Sequence, residues 1–344
     1  MLKALILIER IRMKRKAAAA LVFLMAILMI GILVISLDGE LDRDPEETIE
    51  NNESDEDQYI DDEERSKGVL YEVKNAENKA YLFGSIHFGK EEMYPLHSEV
   101  ENAFEESEAI AFELDLSSTN DMGKAVELIN IGTYEPNTVM TDVVPNETFK
   151  ETKEILEDTE PGMNMMDIES FKPWFAAMLI AENSIRETGF EPEFGIESHF
   201  HEKAEDREMD IIGLETIEEQ TEPYGKLSNE SQRIYLESTI EERELMDGEL
   251  EKLYTSWRDN EIDEMAEERR KMLMEENKTD SMIEFQEALV KRRDAEMAEE
   301  IDKLLEDGEH DTYFITVGYL HLVGEKDILH HLEEKGYEVE NVYR

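Results

Sequence analysis

Residues Ala17 to Leu37 form an unbroken run of 21 uncharged, mostly apolar residues, and no other segment constrains the chain as strongly. About 20 such residues in a helix cross a bilayer's hydrocarbon core. Arg10, Arg12, Lys14, Arg15 and Lys16 stand immediately before the run. Basic flanks stay on the cytoplasmic side. Residues 1–16 are therefore expected in the cytoplasm, 17–37 as one transmembrane anchor, and everything from Asp38 onward outside. A cleaved signal peptide, with Met13 as the true start, is the competing reading. Signal peptides have shorter apolar cores and a small-x-small cleavage site, which Ile35-Ser36-Leu37 matches poorly. Both readings give a membrane or exported protein whose C-terminal domain is extracytoplasmic.

From Asp38 to Lys67 the chain holds 15 acidic and 3 basic residues. Such a segment repels itself and extends, so residues 38–67 read as a disordered tether and 68–344 as the folded domain. The whole chain carries a formal charge of −52, of which −45 lies on residues 68–344. Nucleic acid is excluded as a partner, because phosphate binding requires clustered Lys and Arg. Salt relieves this self-repulsion by shortening the Debye length, so a halophilic or alkaline setting is one expectation and plain solubility the other. Cysteine is absent, which removes disulfides, thiolate nucleophiles, Cys-ligated zinc and a lipoprotein cysteine. Any metal must be held by His, Asp and Glu.

The apolar content, 40%, suffices for a core. Val69 to Val73 and Lys79 to Phe83 read as a hairpin around Asn75-Ala76-Glu77-Asn78. A helix opened by Pro95 and a strand Ala109 to Leu114 follow. Lys172 to Leu179 reads as a buried helix, Gly195 to Glu205 as a helix, and Met209 to Leu214 as a strand. Leu227 to Leu305 reads as several helices whose Glu, Lys and Arg runs form solvated faces. The chain closes with strand Thr312 to Val317, helix Glu325 to Lys335 and strand Tyr337 to Val342. The predicted fold is α/β, a mixed sheet built from two related strand-loop-helix halves with a large helical insertion between them.

Two histidines stand in matching contexts, Phe83-Gly84-Ser85-Ile86-His87-Phe88 and Val317-Gly318-Tyr319-Leu320-His321-Leu322. Each follows the end of a predicted strand, where open α/β sheets bind ligands and where Gly permits a sharp turn or a close approach. Glu113 ends a third strand, and period-two alternation puts Asp115 on its side. Two imidazoles and a carboxylate suit zinc, manganese, cobalt or ferrous iron with open positions for water. A lone strand-end His is more often hydrogen-bonded structure; the matching pair raises the metal reading to about even with that alternative. The remaining histidines, His97, His199, His201, His310 and the adjacent His330 and His331 near the end of the closing helix, read as structural or surface groups. A nucleophile elbow, a P-loop and a dinucleotide fingerprint are missing.

The chain resembles the TraB/GumN family, which includes Tiki-type membrane metalloproteases. The resemblance rests on Tyr81 to His87 with Met93-Tyr94-Pro95-Leu96, Ala111-Phe112-Glu113-Leu114-Asp115 and Gly195-Ile196-Glu197. It continues through Gly213-Leu214-Glu215-Thr216 with Gln220, Arg292 to Ala298, and Val317 to Gly324. It implies two related halves and a divalent metal, manganese or cobalt, near His87, Glu113 and His321. Glu113 and Arg293 are its implied catalytic residues. Arg293 matches a family arginine that holds a substrate carboxylate or polarises a carbonyl, a helix-surface salt bridge being the alternative. Asp294 stands where the family usually has Asn and Glu197 where it usually has Asp, so fine substrate contacts are expected to differ there. Three functions follow as expectations: a metal-dependent peptidase acting on a short extracellular peptide, a non-catalytic protein sequestering a peptide or signalling molecule, and, more weakly, a hydrolase of esters or carbohydrate-linked substrates.

Overall fold

A computed structural model describes residues 61–75, 78–114, 121–159, 166–274 and 280–344. The expected anchor, most of the tether and Asp115 lie outside the described residues. Among the described residues no helix is long and apolar enough to cross a membrane. The last seven residues of the acidic stretch pack on the domain. Asp62 accepts from the Ser98 amide at 3.0 Å, and the Lys67 amide donates to the Arg258 carbonyl at 2.9 Å.

In chain order the elements are β1 (Val69–Lys74), β2 (Lys79–Ser85), α1 (Ser98–Glu106), β3 (Ala109–Leu114), α2 (Asp121–Gly132), α3 (Asn146–Thr159), α4 (Pro173–Arg186) and α5 (Ile196–Asp206). Then come β4 (Asp210–Glu215), α6 (Ile217–Lys226), α7 (Asn229–Glu242), α8 (Met246–Arg258), α9 (Ile262–Met274), α10 (Asp280–Gln286), a π turn (Glu287–Lys291) and α11 (Arg292–Asp307). The chain ends with β5 (Thr312–Gly318), α12 (Ile328–Lys335) and β6 (Glu338–Asn341).

The strands form one six-stranded sheet in the order β4-β3-β5-β2-β1-β6. β4, β3, β5 and β2 run parallel, while β1 is antiparallel to both β2 and β6. The predicted hairpin and mixed sheet are therefore present. The opening and closing strand-loop-helix units are interleaved rather than side by side, because β5 inserts between β2 and β3. Every residue of β5 is buried, as expected for a central parallel strand covered on both faces. α5 packs on the sheet through Phe200, whose ring centroid lies 4.7 Å from that of Phe314 and 5.9 Å from that of Phe83. α4 is buried from Pro173 to Ile185, as its all-round apolar character predicts.

Two helix starts differ from the sequence reading. α1 begins at Ser98, because the ring Nδ1 of His97 accepts from the Glu99 amide and caps it. α12 begins at Ile328, because Asp327 accepts from the His330 amide at 2.9 Å. His330 and His331 therefore sit in that helix's first turn, not near its end.

Candidate functional site

The sheet order sets the site. β5, which leads into the second Gly-x-x-His, lies between β2, which leads into the first, and β3, which carries Glu113. Gly84 pairs across the ladder with Val317, and Ser85 with Gly318, so the motifs run side by side, displaced by one residue. At Gly84 the glycine is required by a close approach. A Cβ there would lie 2.8 Å from Tyr319 Cβ and 2.9 Å from its Cα, so the two motif loops pack directly on each other.

Glu113 is 4% exposed and fully engaged. Its Oε1 accepts from the Gly318 amide at 2.6 Å. Its Oε2 accepts from Arg293 Nη2 at 2.8 Å, and Gln220 Nε2 approaches the same oxygen at 3.4 Å. Arg293 also forks onto Glu215, with Nε 3.0 Å from Oε1 and Nη2 2.6 Å from Oε2. Burial pushes the Glu113 carboxyl up, but Arg293, His321 and His87 outweigh it and hold that carboxyl down at about 2. Burial opposes the charge on Arg293 as well, yet Glu215 and Glu113 raise its pKa well above the usual arginine value. The arginine expected either on substrate or on a helix surface is instead locked between two buried carboxylates.

Each motif histidine has a carboxylate behind its Nδ1. His321, 0% exposed, has Nδ1 2.5 Å from Asp294 Oδ1. Its Nε2 is buried without a hydrogen-bond partner among the described residues and stands 3.8 Å from Glu113 Oε1. His87 has Nδ1 2.9 Å from Glu197 Oε1, an ion-pair contact off the line of a good hydrogen bond. Burial lowers the pKa of His87, but Glu197 beside it, together with Glu113, outweighs that and the net shift is upward. Gly195 makes the second carboxylate possible: its absent Cβ would collide with the His87 carbonyl at 2.2 Å, so only glycine lets α5 start directly against that loop. The π turn Glu287–Lys291 ends immediately before Arg292, and such single turns reset helix register, here just ahead of Arg293 and Asp294.

The model of the TraB/PrgY/gumN family matches residues 69–341. The chain belongs to that family. Neither a curated protein nor a solved structure matches it.

In this TraB/PrgY/gumN chain Glu113, Arg293 and His321 form one buried network, with His87 close enough to feel the charge of both Glu113 and Arg293. Asp294 and Glu197 contact the motif imidazoles and are not free to face a substrate. Four further residues carried no assigned role in the sequence. Glu215 lay in the matched Gly213-Leu214-Glu215-Thr216 stretch, and its strand-end position beside Glu113 was its signal. Gln220 lies one turn beyond the Thr216 cap. Tyr224, buried close enough to Arg293 to feel its charge, and Arg269, which donates to Asp294, had no local signal. Among the described residues, no three His, Asp or Glu side chains stand as a ready-made metal cage. The donor chemistry nonetheless fits a divalent cation. His321 Nε2 and Glu197 Oε2 are buried without a hydrogen-bond partner among the described residues. Two imidazoles with carboxylate oxygens close by make the mixed nitrogen and oxygen donor set that such cations take.

Proposed function

We propose that this protein is a membrane-anchored, extracytoplasmic, divalent-metal-dependent hydrolase acting on short peptides. One observation carries the reading: two imidazoles at the ends of adjacent parallel strands, each backed at Nδ1 by a carboxylate, with His321 Nε2 left bare and facing Glu113. A carboxylate behind Nδ1 fixes tautomer and ring direction, the usual arrangement behind metal-ligating histidines. His87 and His321 would hold the cation with Glu113 beside them. Such a cation, manganese or cobalt by family resemblance with zinc as the other candidate, would polarise an amide carbonyl and lower the pKa of water.

The protein's own groups have distinct tasks in this reading. Glu113 remains ionised next to the reacting atoms, and Arg293 keeps its Oε1 edge toward His321. Glu197 and Asp294 aim the rings. Arg293 acts through Glu113 and is a positioning residue. Extracytoplasmic placement rests on the Ala17–Leu37 run and its basic flank.

A specific observation favours the alternative, a non-catalytic protein that sequesters a peptide. Both Glu113 oxygens are already satisfied, by Arg293 and the Gly318 amide, and a carboxylate so held is a poor metal ligand without rearrangement. Metal analysis and peptide-library cleavage by the full chain, beside His87→Ala and His321→Ala, separate the readings. Stoichiometric metal with cleavage lost in both variants supports the hydrolase. Peptide retention without cleavage after loading with manganese, cobalt or zinc supports sequestration.

A further inference from the structure

The helical insertion grips both motif loops from outside the sheet. From α8, Trp257 Nε1 donates to the Gly84 carbonyl at 2.6 Å. From α9, Arg269 reaches the other loop. Its Nη1 donates to the carbonyl of Leu320 and, at 2.9 Å, to that of Val323, the residues bracketing His321-Leu322. Its Nη2 donates to Asp294 Oδ2 at 2.5 Å, and Asp294 Oδ1 holds His321 Nδ1. Arg269 is 1% exposed and Asp294 0%, so this chain of contacts is shielded from bulk solvent. The neighbouring Arg270 is exposed and pairs with Glu267 on its own helix.

We propose that Arg269 is a positioning residue for His321: through Asp294 it fixes the ring with Nδ1 as donor, and through two carbonyls it fixes the loop, so that Nε2 stays bare toward Glu113. The proposal deepens the hydrolase reading and, where metal affinity is concerned, rests on it. Two properties of arginine suit the task. The guanidinium keeps its charge when buried, and its planar fork reaches three oxygens, the Leu320 and Val323 carbonyls and Asp294 Oδ2. The histidine's direction thus depends on a helix far from it in sequence, and a shift of α9 against the sheet would turn the ring.

The test uses the full chain in detergent with nitrogen-15-labelled histidine, reading the ring nitrogens of His321 by NMR and manganese binding by electron paramagnetic resonance. Arg269→Met alone would strand Asp294 as an unpaired buried charge and risks unfolding. The informative variant is the double replacement Arg269→Met with Asp294→Leu, since exchanging a buried ion pair for apolar groups is often neutral in stability. In it His321 should lose the pure Nδ1–H tautomer and Mn2+ should bind about 10–100-fold more weakly, with the unfolding midpoint close to wild type. Asp294→Asn, which still offers an oxygen to Nδ1, should retain the wild-type ring signals. Unchanged His321 signals in the folded double variant would overturn the proposal. Absence of Mn2+ binding by the wild type would remove the metal reading, while the ring signals would still decide whether Arg269 and Asp294 position His321.

Discussion

Replacing Arg293 by Met would leave Glu113 and Glu215 buried side by side without their shared counter-charge. Breaking such a buried ion network by removing one partner costs about 3–5 kcal/mol, and Arg293→Met should lose that much in urea-induced unfolding. Arg293→Lys keeps the charge but not the fork that reaches both carboxylates, so its loss should be smaller. Equal losses would show that the fork geometry, rather than the charge, holds the two acids. The same scale explains why some site residues were legible and others were not. His87, Glu113 and His321 stand at strand ends in recognisable local contexts. Arg269 sits in Glu267-Glu268-Arg269-Arg270-Lys271, a run that reads as a solvated helix face. Consecutive helical residues point about 100° apart, and only the position of α9 against the second motif loop decides that Arg269 turns inward and Arg270 outward.

Among the elements, α7 carries a charge placed against its interest at its last residue. Glu242 has an Oε2 that is buried without a hydrogen-bond partner, and burial together with Glu241 pushes its pKa up to about 8. A carboxyl whose folded pKa is raised binds its proton more tightly when folded. Its contribution to stability is complete below the unfolded value near 4.5 and declines as pH rises toward 8. Glu242→Gln removes that dependence. Thermal unfolding from pH 5 to 9 should therefore show the variant gaining on wild type as pH rises, with the difference levelling off above about 8. A constant difference would mean that Glu242 is ionised in the fold throughout. The element scale also accounts for a motif the sequence presented without a reason. In Gly195-Ile196-Glu197 the glycine admits the start of α5 against the His87 carbonyl, and the glutamate two residues on meets the ring. Helix starts moved from Pro95 and Glu325 to Ser98 and Ile328 because His97 and Asp327 cap the helices there.

For the whole molecule, the excess of carboxylates on residues 68–344 predicts a protein that salt stabilises. Raising ionic strength from about 10 mM to about 1 M shortens the Debye length from roughly 30 Å to 3 Å. The unfolding midpoint of the full chain should climb across that range in calorimetry. A flat or falling midpoint would leave the charge with no role beyond solubility. The strands, the hairpin, the mixed α/β class and the family were legible in the sequence, because alternation, strand-end glycines and the Gly-x-x-His pair are local patterns. The interleaving of β5 between β2 and β3 was not, since nothing local states which strands are neighbours. That one topological fact places both motifs and Glu113 on three adjacent strands. The partners were decided by tertiary structure too. Arg293 between two acids, Asp294 and Glu197 behind the imidazoles, and Arg269 behind Asp294 are contacts between residues distant in sequence. Each exists because a buried charge must find its counterpart in three dimensions.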